Sequence, residues 1–353
     1  MLRQSCKDGY GRSSIALVAA AVALIAVGSV SAGRTRAAAR PQLAPLAVTP
    51  VPTSRMAGKV AHVSRHRAAL TSRVSPRPRV APRATTSLYE HSVRPSILRR
   101  QGCRAAKHGV SGIVILDFGQ PAYNGHTYGT FLFSGRFAGN KAITRALLAY
   151  GHGYAYCLRR GSHSHISLAR GTNNYHPQVP SAYRAGRKWG RETMALARAL
   201  KRHGLDEHVT SAAADDAEPA WDRGFHKTRD FFRGYRAART GHLLYNYGSL
   251  DGGVGSIWNA RQAFYVASGM RDSRALPEIY NRRMARQWAS LALTARRLYH
   301  RPLRFAGVMA SHHAGRGFLK PREAHRALVH ALASYMSAAP SVPPTVTNIR
   351  WSE

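Results

Sequence analysis

The sequence predicts an α/β protein, a (β/α)8 TIM-like barrel preceded by a disordered basic segment, on three observations. Beyond residue 109, short β-branched or aromatic runs alternate with longer stretches of helical periodicity, the sequence form of a parallel sheet covered by helices. Eight strand-like runs recur within about 250 residues, the customary size of such a barrel. Ahead of them, residues 33–108 are rich in Arg, Ala, Pro, Val, Ser and Thr and hold no apolar period, so they cannot bury enough surface to offset the entropy of ordering.

The elements follow in order. Arg3, Lys7 and Arg12 precede an apolar run over residues 15–30, and Val30-Ser31-Ala32 supplies the small residues of a cleavage site. Residues 1–32 therefore read as a secretory signal peptide. A membrane anchor is the alternative, since a run of about 16 residues falls just short of the ~20 that span a bilayer. Either leads to a secreted or envelope-associated protein. Residues 33–108 form a positively charged tether whose only acid up to residue 100 is Glu90.

The barrel is expected over residues 109–340. Residues 112–119 read GIVILDFG, a buried first strand, and a helix over 140–150 follows an aromatic loop. Residues 154–158 give a second strand, and 166–169 a third that runs into the polar Gly171-Thr172-Asn173-Asn174. A helix over 181–203 carries Trp189, Met194, Leu196 and Leu200 at helical spacing and stops at Gly204. The fourth strand covers 209–214, a helix 225–239, and the fifth strand 243–248. Residues 264–267 and 276–280 supply the sixth and seventh strands, the latter confined to a short piece or an edge by Pro277. A helix over 281–299, an eighth strand over 303–309 and a helix over 322–336 complete the set, with residues 341–353 as a tail. A doubly wound open sheet is the competing topology.

Composition narrows the chemistry. The chain has 53 Lys and Arg against 16 Asp and Glu, a formal net charge of +37. Charge of this sign in the tether suits anionic envelope polymers, but no base-reading module is present, which argues against nucleic acid as the partner. Asp251-Gly252-Gly253-Val254-Gly255 lacks the Lys-Ser/Thr ending of a phosphate loop. His163, His165, His312 and His313 show no ligand spacing, and neither do Cys103 and Cys157, so neither metal nor cofactor is expected. An exported compartment permits the two cysteines to pair.

In so basic a chain the acids are informative. Six of the sixteen fall at or just after predicted strands: Asp117, Asp215, Asp216, Glu218, Asp251 and Glu278. Most would share one rim of a barrel, the rim at which this fold builds its active sites. Glycosidic cleavage needs one carboxyl kept protonated and another ionised, and crowding carboxylates raises at least one pKa. Asp216 and Glu218 lie two residues apart and so project from one face if the strand continues. Glu218 is the expected proton donor, Asp216 its support and Asp117 a third acid, with Asp215 pointing the other way. Sugar clefts also need aromatic and polar contacts. Trp221, Tyr247 and Tyr280 are the candidate platforms; Asn173 and Asn246 are candidate hydrogen-bond donors, and Asp215 and Glu278 complete the substrate-binding set.

Asp117 at the end of the first strand and Asp216-Ala217-Glu218 at the end of a central strand resemble the family 25 lysozymes. The resemblance covers residues 110–310. It implies cleavage of a peptidoglycan-type β-glycan with Glu218 as the acid. The expected function is an exported glycoside hydrolase-like protein acting on a cell-wall or environmental polysaccharide, with a non-catalytic glycan- or wall-binding barrel as the alternative. Carboxylate separation would decide between retention and inversion.

Overall fold

The structure of the chain, a computed structural model, describes residues 84–313 and 315–352. The signal or anchor and residues 33–83 of the tether lie outside the described residues. The elements are β1 (Thr85–Tyr89), α1 (Pro95–Lys107), β2 (Gly112–Asp117), β3 (Gln120–Tyr123), β4 (Tyr128–Phe131), β5 (Phe137–Gly139), α2 (Asn140–Cys157), β6 (Ile166–Asn173), α3 (Ala182–Arg202), β7 (Val209–Asp216), α4 (His226–Ala237), β8 (Leu244–Asn246), α5 (Ala260–Phe264), β9 (Ser273–Ala275), α6 (Arg282–Tyr299), β10 (Val308–Ala310), α7 (Pro321–Tyr335) and β11 (Val346–Trp351).

Eight parallel strands form one curled sheet in the order β10-β11-β1-β2-β6-β7-β8-β9. Strands buried on both faces read as continuous apolar runs, and β2 does so. Its Val114 and Leu116 pack with the helices, while Ile113 and Ile115 join Ala212, Ala214, Met309 and Ile349 in a separate inner core. The same alternation sorts β7: Ala213 faces the helices, whereas Ala212 and Ala214 face inward. At the end of β9 Ala275 bridges to Phe305, and beyond it Glu278 bridges to Met309. There Met309 N donates to Pro277 O at 2.9 Å and Ile279 N to Met309 O at 3.0 Å.

The helices obey local rules. Ser181 caps α3 by accepting from Arg184 N at 3.2 Å, and Trp189, Thr193, Leu196 and Leu200 form its buried stripe. Helices α1 and α2 cross so closely that a Cβ on Gly153 would lie 1.9 Å from Arg99 O. A disulfide between Cys103 and Cys157 joins the same two helices, resolving the pairing that the sequence leaves open.

Several expected boundaries need correction. Residues 84–108, assigned to the tether, contain β1 and α1, and the supposed tail contains β11, which pairs with β1 from Thr85↔Thr347 to Tyr89↔Trp351. Residues 154–158 are the end of α2 and its cap rather than a strand, because Ile143, Leu147, Tyr150 and Tyr154 bury one helical face. Residues 264–267 end α5 and enter a π-turn, Tyr265–Gly269. The stretch expected as a strand over 276–280 is not one: β9 precedes it and ends at Ala275, and Glu278 makes only an isolated bridge to Met309, while the strand expected over 303–309 reduces to β10. A three-stranded antiparallel sheet, β3-β4-β5, occupies the aromatic loop after β2.

Candidate active site

Asp117 ends β2, and the turn after it requires glycine. Gly119 has φ +85°, and a Cβ there would lie 2.2 Å from Phe131 O. That turn aims Gly119 N at Asp117 Oδ1 at 2.7 Å, while the Tyr247 hydroxyl, just beyond β8, donates to Oδ2 at 2.7 Å. Both donors favour the carboxylate. Burial outweighs them, and the carboxyl is pushed up to about 7.

Asp216 ends β7 on the inward face and Glu218 follows it. Glu218 is held by its backbone: Asn174 Nδ2 donates to its carbonyl at 3.0 Å, and its own N–H donates to Asn174 Oδ1 at 2.9 Å. Its Oε1 accepts from Ser249 N at 3.3 Å. Ser249 Oγ donates to Asp251 Oδ1 at 2.9 Å, and Asp251 Oδ2 accepts from Ala220 N at 2.7 Å, so the loop after β8 closes on the turn after β7. Glu278 reaches the same point from the segment after β9. Carboxylate oxygens of Asp216, Glu218 and Glu278 all lie within 4.8 Å of one another.

Burial is the largest force on these groups. Asp216, Glu218 and Glu278 are only 4%, 7% and 2% exposed. Glu218 is raised to about 8 by desolvation and then by Asp251; Asp216 and Glu278 are driven higher than their ordinary range by desolvation and by neighbouring carboxyls. No Lys or Arg figures among the charges that shift them. One fully buried cation, Arg170, lies on the helix-facing side, bonded to Asn140 Oδ1 at 2.6 Å and lying 4.1 Å from the Trp189 ring centroid. The cluster can relieve its repulsion by retaining protons. Its oxygens would equally suit a hard divalent cation, a ligand set that spacing does not reveal because Glu278 lies sixty residues beyond Glu218.

The other expected contacts divide. Tyr247 is fully buried and holds Asp117 instead of facing a ligand. Asn173 Oδ1 accepts from Tyr175 N at 3.2 Å and Asn246 Oδ1 from Gly248 N at 3.3 Å, so both side chains serve as turn makers. Asp215 lies on the opposite strand face from Asp216, beside Thr228 and Phe231 of α4. Trp221 meets Tyr175 edge-on at 5.7 Å near the rim, and Tyr280 stacks on Phe318 at 4.8 Å. Asn174, Ser249, Tyr89 and Glu90 were not anticipated as site residues. Glu90 follows β1, is fully buried and is raised to about 7 by burial; its standing as the sole acid of its stretch was the available signal.

No family model matches the sequence, and no curated protein matches it. Among solved structures, a chain described as a mandelate racemase/muconate lactonizing enzyme from Labrenzia alexandrii DFL-11 aligns at 9% identity and a TM-score of 0.30. That alignment covers 76% of this chain and 55% of the other. Likeness at this level bears on neither the chemistry nor the fold of this protein.

Proposed function

We propose that the protein is an exported glycoside hydrolase-like enzyme that cleaves a cell-wall or environmental β-glycan by carboxylate acid/base catalysis on a (β/α)8 barrel. The bridges Ala275↔Phe305 and Glu278↔Met309 support closure of the eight strands into that barrel. One observation carries the functional reading: a +37 chain gathers buried carboxyls at the C-terminal ends of neighbouring parallel strands with no cation acting on them. Uncompensated buried acids are costly to a fold, and perturbed groups of this kind cluster at functional sites.

Glu218 is the proton donor. Raised to about 8, it stays protonated at neutral pH and gives its proton to the glycosidic oxygen as the bond to the sugar carbon breaks. Asp117, with two donors on its oxygens, is the carboxyl best supported as an anion and takes the opposing role, either attacking the sugar carbon or drawing a proton from water. Asp216 lies between them electrically, since it is shifted by both, while burial and Asp251 keep Glu218 protonated. The Cys103–Cys157 disulfide is in keeping with an oxidising, extracytoplasmic compartment.

The enclosure of the acids favours a second reading, a non-catalytic glycan-binding barrel. Asp117 is 0% exposed, and a cavity of about 690 Å³ lies elsewhere, lined by Arg282, Arg286 and Arg326 of α6 and α7. The deciding test is release of reducing ends from purified peptidoglycan and a panel of β-glucans by the full chain and by Glu218→Gln. Hydrolysis lost in the variant supports the enzyme. Retained binding to wall material without hydrolysis in either protein supports the binding barrel.

A further inference from the structure

We propose that Trp351 and the rings around it form a sugar-stacking platform, a subsite on which a pyranose ring of the glycan rests beside the acid cluster. This deepens the glycoside hydrolase-like reading and rests on it. The Trp351 indole lies 4.9 Å from Tyr89, 5.2 Å from Phe133 and 5.5 Å from His91, and Tyr89 lies 5.0 Å from Phe133. These rings come from β1 and the residues after it, the turn after β4, and the end of β11.

Strand register links the rings to the acids. Trp351 is the partner of Tyr89 in the β11–β1 ladder, and Tyr89 is the partner of Asp117 in the β1–β2 ladder. Two strand spacings separate Trp351 from Asp117, about 10 Å between backbones, which is the scale of two linked sugars. Tyr89 also lies in the field of Asp216, Glu278 and Glu218, so the aromatic row runs from the acids outward.

The outer end of that row is open. Trp351 is 37% exposed. Its neighbours meet it at 42°, 80° and 36°, none in a parallel stack that would cover a ring face. The platform is held rigidly, as preorganised binding requires. Ser352 N donates to Tyr89 O at 3.0 Å, His91 N to Ser352 Oγ at 3.2 Å, and Ser134 Oγ to His91 O at 3.0 Å, tying all three segments together. A pyranose offers C–H faces to such a ring and hydroxyls to its surroundings, which is the chemistry a half-exposed indole beside carboxyls recognises.

The test uses the full chain with Trp351→Ala and Trp351→Phe. Binding of chitohexaose and cellohexaose is measured by calorimetry in the Glu218→Gln background, and kcat and KM on peptidoglycan in the active background. Trp351→Ala should weaken binding of the recognised oligosaccharide and raise KM by about tenfold, leaving kcat nearly unchanged, while Trp351→Phe keeps most of the affinity. Melting temperatures of both variants separate this from general loosening. Hydrolysis with KM and binding unmoved by Trp351→Ala would overturn the platform and leave the enzyme reading intact. Trp351-dependent binding without hydrolysis in any form would sustain the platform and remove the enzyme reading. Equal losses in the Ala and Phe variants that track their melting temperatures, or no binding of either oligosaccharide, would overturn the platform.

Discussion

Asp117→Asn should stabilise the protein at alkaline pH. Asp117 is 0% exposed, and its carboxyl is raised from an ordinary 3.8 to about 7. Between those values the unfolded chain has released the proton and the folded chain retains it, so stability falls as pH rises. The group has no effect below about pH 4, and its full cost stands above about pH 7. Roughly three pH units at 1.36 kcal/mol each amount to about 4 kcal/mol. Asparagine cannot ionise. It keeps an acceptor for Gly119 N, and its amide can donate to the Tyr247 hydroxyl in place of accepting from it, with a loss of about 1 kcal/mol. The net gain is about 3 kcal/mol at pH 8, and a small loss remains at pH 4. In a domain of this size that gain is a rise in Tm on the order of 5–10 °C at pH 8. Thermal melts of wild type and variant at pH 4 and pH 8 check it. Should Asp117→Asn lower Tm equally at both values, a counter-charge holds the carboxylate and the reasoning from uncompensated burial fails.

Four further outcomes follow from the structure. Hydrolysis should fall as pH rises through about 8, where Glu218 loses its proton, and Glu218→Gln should lower kcat by about 10²–10⁴; a pH–rate profile for wild type and initial rates for the variant measure both. Replacing Cys103 and Cys157 by serine reopens a loop spanning 54 residues and should remove about 4 kcal/mol, read as a lower denaturation midpoint that reductant no longer changes. Gly153→Ala places a methyl 1.9 Å from Arg99 O and should cost roughly 1–3 kcal/mol by forcing α1 from α2, visible as a drop in Tm.

The fold was legible where a segment carries its own period. Helices α3, α6 and α7 announce themselves through stripes at helical spacing and strand β2 through a continuous apolar run, while β6 and β7 open on β-branched residues and mix apolar with polar positions. The expected strand count of eight matched the sheet for a partly wrong reason: two stretches assigned as strands are helical, 276–280 carries only an isolated bridge, and β1, β9 and β11 were missed. Strands β1 and β11 carry polar residues. Thr85, Ser87 and Thr347 are buried, with Ser87 Oγ 2.7 Å from Thr347 Oγ1 and Ser87 Oγ also accepting from Ile115 N at 2.9 Å. A hydroxyl satisfied by the strand beside it reads in sequence like a loop, because its partner is about 260 residues away.

The site was legible in its charges and hidden in its supports. Acids stand out because the chain has so few, and Asp117, Asp216, Glu218 and Glu278 occupy the end of the sheet that their places after strands imply. What fixes them is ordinary in composition: Asn174 grips the Glu218 backbone, Gly119 and Tyr247 hold Asp117, and Ser249 joins Glu218 to Asp251. Asn, Gly, Ser and Tyr occur throughout the chain, and only a shared three-dimensional address separates these from the rest. The same reasoning explains why Tyr247 leaves the role expected of it and why Trp351, to which the sequence assigned none, enters the proposal. A Tyr at a strand end is a natural sugar platform until a buried carboxylate claims its hydroxyl, whereas a Trp placed in a supposed tail becomes one only after β11 sets it beside Tyr89.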